Sequence, residues 1–154
     1  MRSLIRLAAI VLALGLGQAR VSLAQSTIIG WIDEPVVKAE IPRSVPIRAG
    51  GWVFECESGL QPFTQQLGSF SVAFKRPDGT WWFPSSYSLY GFVPRDDVKA
   101  AYLPSCPHVG RYVGWNVTTD APTEPGAWTL YVGFAVWRDG QTYSQSFTRV
   151  IVVS

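Results

Sequence analysis

The chain has 154 residues, with 13 Lys and Arg against 11 Asp and Glu and a single His. The basic residues form no cluster, so binding to nucleic acid, which requires several cations against the phosphates, is not expected. This length suits one domain with a sizeable core, and the seven Trp, six Tyr and eight Phe supply much of its apolar material.

The N-terminal segment has the pattern of a signal peptide. Two arginines start an apolar run over residues 7–16, and Ser22-Leu23-Ala24 is a small-x-small cleavage pattern. The run is about half of the roughly 20 apolar residues that span a membrane. We therefore predict a signal peptide over residues 1–24, with a retained anchor as the alternative. A single domain over residues 25–154 is then secreted, periplasmic or extracellular, without membrane insertion.

The chain contains two cysteines, Cys56 and Cys106. Two thiols of an exported protein usually pair, so a disulfide bond between them is predicted, and two free buried thiols are the alternative. The bond would close a loop of about 50 residues and contribute roughly 4 kcal/mol in the chain-entropy model. A structural zinc site is not expected, because only His108 is available as a further ligand of the usual kind.

Short β-like runs separated by turns dominate the next part of the chain. Residues 52–56 alternate, with Trp52, Phe54 and Cys56 expected on the buried face. Pro77-Asp78-Gly79 predicts a hairpin turn, because Pro presets φ and Gly accepts a positive φ. The predicted elements are strands at 30–32, 52–56, 69–75 and 80–83, and a Pro-containing edge segment at 41–48.

Residues 85–104 form the least regular stretch, and within them Asp96 to Tyr102 is predicted as a helical turn. Alternation then resumes in strands at 112–118, 128–136 and 142–153, with turns at 121–126 and 138–140. Seven to nine short strands with frequent turns and no long amphipathic helix predict an all-β, antiparallel sandwich or barrel. Trp52, Trp115 and Trp128 are expected in its core.

Several short motifs resemble those of bacterial extracellular immunoglobulin-like domains. They are GWIDEP at 30–35, GW at 51–52, RDDV at 95–98, PGAWTL at 125–130 and IVV at 151–153. The resemblance implies an antiparallel immunoglobulin-like β-sandwich. It also implies an accessory role as a spacer, an adhesion module or an appendage of a secreted enzyme.

Aromatic rings that face outward are the best candidates for a binding site. Adjacent residues on a strand point to opposite faces, so at least one of Trp81 and Trp82 tends outward. Tyr87 and Tyr90 lie in the irregular stretch, and Trp137 is expected on the face opposite Trp128. Because exposed rings stack against sugars or peptide partners, these five residues are predicted to bind a ligand. A second packed layer is the alternative.

Residue patterns that carry catalysis or bind metals are sparse. His108 lies beside Pro107 and close to Cys106, and no Gly-x-Ser-x-Gly motif provides a nucleophile, so no catalytic residue or cofactor is expected. The adjacent carboxylates of Asp96 and Asp97 are the most distinct acidic motif and a candidate Ca²⁺-binding site. Helix capping and solvation are the favoured interpretation of this pair.

The sequence therefore predicts a secreted, non-catalytic immunoglobulin-like domain that binds, adheres or gives structural support. Its partner would be an extracellular protein or a glycan. A carbohydrate-binding module that uses the exposed aromatics is the alternative. A small secreted hydrolase with a site in residues 85–104 ranks third.

Overall fold

The computed structural model of the chain describes residues 28–58 and 68–154. The predicted signal peptide and its cleavage site lie outside the described residues. In chain order the elements are β1 (Ile28–Glu34), β2 (Ala39–Ile41), β3 (Ile47–Glu55), β4 (Gly68–Lys75), β5 (Trp81–Trp82), β6 (Tyr87–Val93), α1 (Asp96–Tyr102), β7 (Gly114–Thr119), β8 (Gly126–Arg138) and β9 (Gln141–Val153). None of the described helices is long and apolar enough to span a membrane.

The strands form two sheets that pack face to face, which confirms the predicted all-β sandwich. One sheet has the order β1-β3-β7-β6, and the other has the order β2-β9-β8-β4-β5. The neighbours within β1-β3-β7-β6 and β9-β8-β4 are those of the two sheets of an immunoglobulin sandwich. The described residues form nine strands, which lies within the predicted range of seven to nine.

One edge pair departs from the predicted antiparallel arrangement that the other strand pairs follow. After β1 the chain crosses to the second sheet, where β2 pairs in parallel with the end of β9, Ala39 opposite Ile151 and Ile41 opposite Val153. Because β1 and β2 belong to different sheets, no hairpin turn joins them, and the direction of β2 relative to its neighbour is not set by such a turn. Local turn signals, from which the antiparallel arrangement was inferred, do not report such a crossover.

The main core fills the space between the sheets. Alternate residues of β8 point inward, and Phe134 lies at the centre with 2% of its surface exposed. Its ring contacts Phe70, Trp115 and Phe147 at centroid distances of 5.3, 5.5 and 6.0 Å. Trp115 and Trp128 belong to this core, as predicted.

A second hydrophobic cluster covers the outer face of β3. Trp52 and Phe54 pack there beneath α1 and the segment that follows it, together with Val98, Cys106, Val109 and Val113. Trp52 is buried, as predicted, but it lies in this outer cluster and not with Trp115 and Trp128, because Val53 is the residue that faces the main core. An alternating pattern places residues on two faces but does not say which layer covers each face.

The disulfide bond joins Cys56 to Cys106, as predicted, with the two Cα atoms 5.0 Å apart. It links the end of β3 to the loop after α1. We refer to residues 94–113, which include α1 and cover the outer cluster, as the flap. The disulfide bond and the outer cluster together hold the flap against the four-stranded sheet.

Most of residues 85–104, predicted as irregular, are ordered strand and helix. The helix α1 has the predicted bounds. The strand β6 was not predicted, because its pairing with β7 is irregular between Tyr90 and Val93 and Phe92 has a φ of 61°. It is also an edge strand of its sheet, so a continuous alternation of apolar residues is not required of it.

Candidate ligand-binding site

The hairpin between β4 and β5 determines which aromatic rings face outward. Gly79 has a φ of 94°, and the Asp78 carboxylate accepts a 2.8 Å hydrogen bond from the backbone N–H of Thr80. This bond lowers the pKa of Asp78 below its usual value. The turn sets the register that pairs Trp81 with Lys75 and Trp82 with Phe74. Trp81 therefore faces outward and Trp82 faces the core.

Three rings meet on the outer face of the five-stranded sheet. Trp81 stacks on Phe83 with a centroid distance of 6.2 Å and an interplanar angle of 14°, and it contacts Tyr131 of β8 at 4.8 Å. Trp81 is 44% exposed and Phe83 is 68% exposed. The Lys75 ammonium group lies 4.9 Å from the Trp81 ring centroid. We call Trp81, Phe83 and Tyr131 the aromatic platform.

Two of the predicted ligand-binding residues contribute to packing instead of joining the platform. Trp82 is half-buried against the main core and contacts Phe74 at 5.4 Å. Tyr87 packs edge-on against Phe70 at 5.4 Å, and its hydroxyl donates a 3.1 Å hydrogen bond to the Phe70 carbonyl oxygen. Both rings therefore have structural partners within the sandwich, and Tyr87 is also 43% exposed.

The other two predicted residues are exposed but lie elsewhere. Tyr90, in β6, belongs to the opposite sheet and pairs in register with Asn116. Trp137 lies in β8 on the same outer face as Tyr131, six residues further along the strand. The structure thus brings Trp81 together with two rings that are not among the five predicted ligand-binding residues. The signal for Phe83 is its i, i+2 spacing from Trp81, which places both on one face of an extended segment.

Neither Asp96 nor Asp97 is the N-cap residue of α1, so the capping part of the favoured interpretation is wrong, whereas both carboxylates are exposed to solvent as its other part expects. The N-cap residue is Arg95, which makes no side-chain capping hydrogen bond. The two carboxylates instead form ion pairs. Asp97 accepts bonds from Nε and Nη2 of Arg95 at 2.9 and 2.7 Å, and Asp96 lies 3.1 Å from Nε of Arg111.

Arg95 also bonds to Asp33 of β1, so its guanidinium connects the flap to the edge of the four-stranded sheet. The side-chain hydrogen bond from Arg95 is the main cause that lowers the pKa of Asp97 from 3.8 to about 2. The same bond raises the pKa of Arg95 above its usual range. The charges of both aspartates are thereby matched by arginines. Among the described residues, no group of three or more His, Cys, Asp or Glu is placed to hold a metal ion.

The ion pair predicts how acid affects the flap. Because the folded-state pKa of Asp97 lies below its unfolded value, the pair stabilises the fold above about pH 4. We expect this contribution to disappear as the pH falls through about 2. Asp97 is exposed, so the effect should be below about 1 kcal/mol. Thermal unfolding of the wild type and of Asp97→Asn should differ near neutral pH and converge in acid. Parallel pH profiles would contradict the assignment.

A depression of about 450 Å³ lies at the opposite edge of the five-stranded sheet, beside β2. Ile41, Val45 and several prolines line it, and Glu40 and Arg48 contribute charged side chains to the lining. None of the predicted aromatic residues contributes to it. The platform is therefore the place where the structure concentrates exposed rings that contact one another.

No protein-family model and no curated protein matches the chain. Two solved structures are similar to it at 10% sequence identity. One is a family 123 glycoside hydrolase from Clostridium perfringens, with a TM-score of 0.43 over 83% of this chain; the chain spans only 27% of that protein. The other is AggA, the major subunit of aggregative adherence fimbriae type I from Escherichia coli, with a TM-score of 0.38 over 84% of this chain and 96% of the subunit. At these scores no conclusion about ligand or activity follows.

Proposed function

We propose that the chain is a non-catalytic extracellular binding domain of the bacterial immunoglobulin-like type, and that the aromatic platform binds carbohydrate. The observation that carries the proposal is the contact of Trp81 with Phe83 and Tyr131 on an exposed sheet face. Contiguous exposed rings of this kind are unusual on a protein surface without a partner, and they mark binding sites.

The chemistry of the platform suits a sugar. The rings of Trp81 and Phe83 are nearly parallel and remain 44% and 68% exposed, so they leave apolar surface against which the C–H face of a sugar ring can pack. The Tyr131 hydroxyl and the Lys75 ammonium group supply polar groups at its margin, and hydroxyl groups of a sugar can accept from both. Rigid aromatic side chains also lose little conformational entropy on binding.

Two further features support the rest of the proposal. The carboxylates of Asp96 and Asp97 are engaged by arginines, which leaves the pair poorly suited to acid–base catalysis in residues 85–104. A disulfide bond that closes a long loop is typical of proteins that work in an oxidising compartment. The strand order and the sequence motifs agree with an immunoglobulin-like domain.

The proposal predicts that Trp81→Ala abolishes or weakens carbohydrate binding. We expect at least about a tenfold loss of affinity, corresponding to ~1.4 kcal/mol, because the central ring of the platform is removed. Affinity electrophoresis against a panel of soluble plant, bacterial and host polysaccharides identifies a retarding polymer, and calorimetry then compares the variants.

Trp31→Ala is the matched control, since Trp31 is 56% exposed on β1, outside the platform. It should leave polysaccharide binding unchanged. Unaltered unfolding temperatures would establish that Trp81→Ala keeps its fold. The carbohydrate assignment would be refuted if no polysaccharide of the panel bound, or if the wild type and Trp81→Ala bound equally. A protein-binding or structural role would then be the better interpretation.

A further inference from the structure

The outer face of the five-stranded sheet between the platform and Trp137 is lined by small side chains. Ser71 of β4 and Ser146 of β9 flank Gly133 of β8, and in the next outward row Ser69 and Ser144 flank Ala135. A Cβ atom built on Gly133 would lie 2.4 Å from the Ser71 hydroxyl oxygen. Glycine at this position therefore leaves room for the Ser71 hydroxyl and adds no side chain that rises above the sheet. These two rows form a shallow trough, bounded by Tyr131 on one side and by Trp137 on the other.

The length of the trough follows from the register. The pairing of β8 with β9 runs without a bulge from Gly126 to Arg138. Tyr131 and Trp137 are therefore six residues apart on one face, or about 20 Å at the rise of an extended strand. One sugar ring does not reach both aromatic side chains, whereas an oligosaccharide does.

The trough is polar but almost without charge. Among the outward-facing positions of β4, β8 and β9 whose side chains the structure describes, Lys75 is the one that carries a charge. Ser69, Ser71, Ser144 and Ser146 are exposed, and a serine hydroxyl group can both donate a hydrogen bond to a ligand and accept one from it.

We propose that this face binds a neutral polysaccharide lengthwise, with one sugar on the aromatic platform, the intervening sugars over the serine-lined trough, and a further sugar on Trp137. The inference rests on the proposed carbohydrate function and adds the length, direction and charge of the ligand. An uncharged, hydroxyl-lined surface favours a neutral partner, because an ionic ligand would lose its hydration without gaining a counter-charge in the trough.

Chain length provides the first test. Calorimetry measures the affinity of the wild-type protein for oligosaccharides of increasing length. These are prepared from a neutral polysaccharide that the protein binds. Affinity should rise with each added sugar until the chain reaches Trp137 and then level off. Affinity that is already maximal for a mono- or disaccharide would overturn the lengthwise arrangement while leaving the platform assignment intact.

Trp137→Ala provides the second test. It should weaken binding of long oligosaccharides about tenfold and leave binding of the shortest ones unchanged, since only long chains reach this ring. Trp81→Ala should weaken both. Trp31→Ala removes a ring of the same 56% exposure from the other sheet and should change neither. Equal affinities of the wild type and Trp137→Ala for long chains would refute the second contact.

Ionic strength tests the charge of the ligand. Binding of a neutral chain should be the same at low and high salt, because no ion pair is screened. If acidic polysaccharides bind in preference and high salt releases them, Lys75 is the dominant contact and the proposal of a neutral ligand is wrong. If no polysaccharide of any length binds, the carbohydrate function itself fails, which is a distinct result from a loss of length dependence.

Discussion

The double substitution Cys56→Ala/Cys106→Ala is expected to lower the free energy of unfolding by about 4 kcal/mol. The disulfide bond closes a loop with a sequence separation of 50, and its removal restores the conformational entropy of that loop in the unfolded chain. Chemical denaturation of the oxidised wild type and of the double variant measures the difference.

The flap should respond most strongly to this change. Cys106 anchors the flap beside Val98 and Val109, so loss of the bond leaves the packing of the outer cluster and the Arg95–Asp33 ion pair to hold it. Amide exchange in residues 96–109 should accelerate more than exchange in β8. A reducing agent should destabilise the wild type to the level of the variant and have no effect on the variant itself. A variant as stable as the oxidised wild type would contradict the prediction.

Phe134→Ala is expected to destabilise the whole sandwich by about 3–5 kcal/mol, the usual effect of truncating a buried Phe. The ring is 2% exposed and contacts aromatic side chains from both sheets, so its removal leaves a cavity that rigid strands cannot close. Denaturant titration followed by tryptophan fluorescence gives the free energy of unfolding, since Trp115 adjoins the cavity.

Phe83→Ala is the matched control for this substitution. It deletes the same ring from a position that is 68% exposed, so the free energy of unfolding should change by no more than about 0.5 kcal/mol. The same variant should weaken carbohydrate binding, because Phe83 belongs to the platform. Equal destabilisation by both substitutions would show that Phe134 is not central to the core.

Much of the fold could be predicted from local pattern. Alternation along residues 128–136 and 142–153 and the turn at Pro77-Asp78-Gly79 correspond to β8, β9 and the β4–β5 hairpin. These elements can be predicted from the sequence because each strand has one buried face and each turn has a distinctive composition. The helix Asp96–Tyr102 was predicted with the bounds that the structure shows.

Other features escaped prediction for physical reasons. The edge strand β6 has few inward residues and a break at Phe92, so its alternation is weak. The strand β3 is buried on both faces, and alternation could not distinguish the main core from the outer cluster. The parallel pairing of β2 depends on where the chain crosses between sheets, which is a property of the assembled sandwich.

The candidate site divides in the same way. Residue type and period-two spacing sufficed to show that Trp81 and Trp82 face opposite sides and that Trp137 faces outward, because these are properties of a single strand. Whether separate exposed rings form one surface depends on strand register and sheet order. Trp81 reaches Tyr131 because β5 pairs with β4 and β4 pairs with β8. Tyr87 and Tyr90 lie apart from both because β6 pairs with β7 in the other sheet. Contacts between distant segments arise from packing that no local pattern encodes.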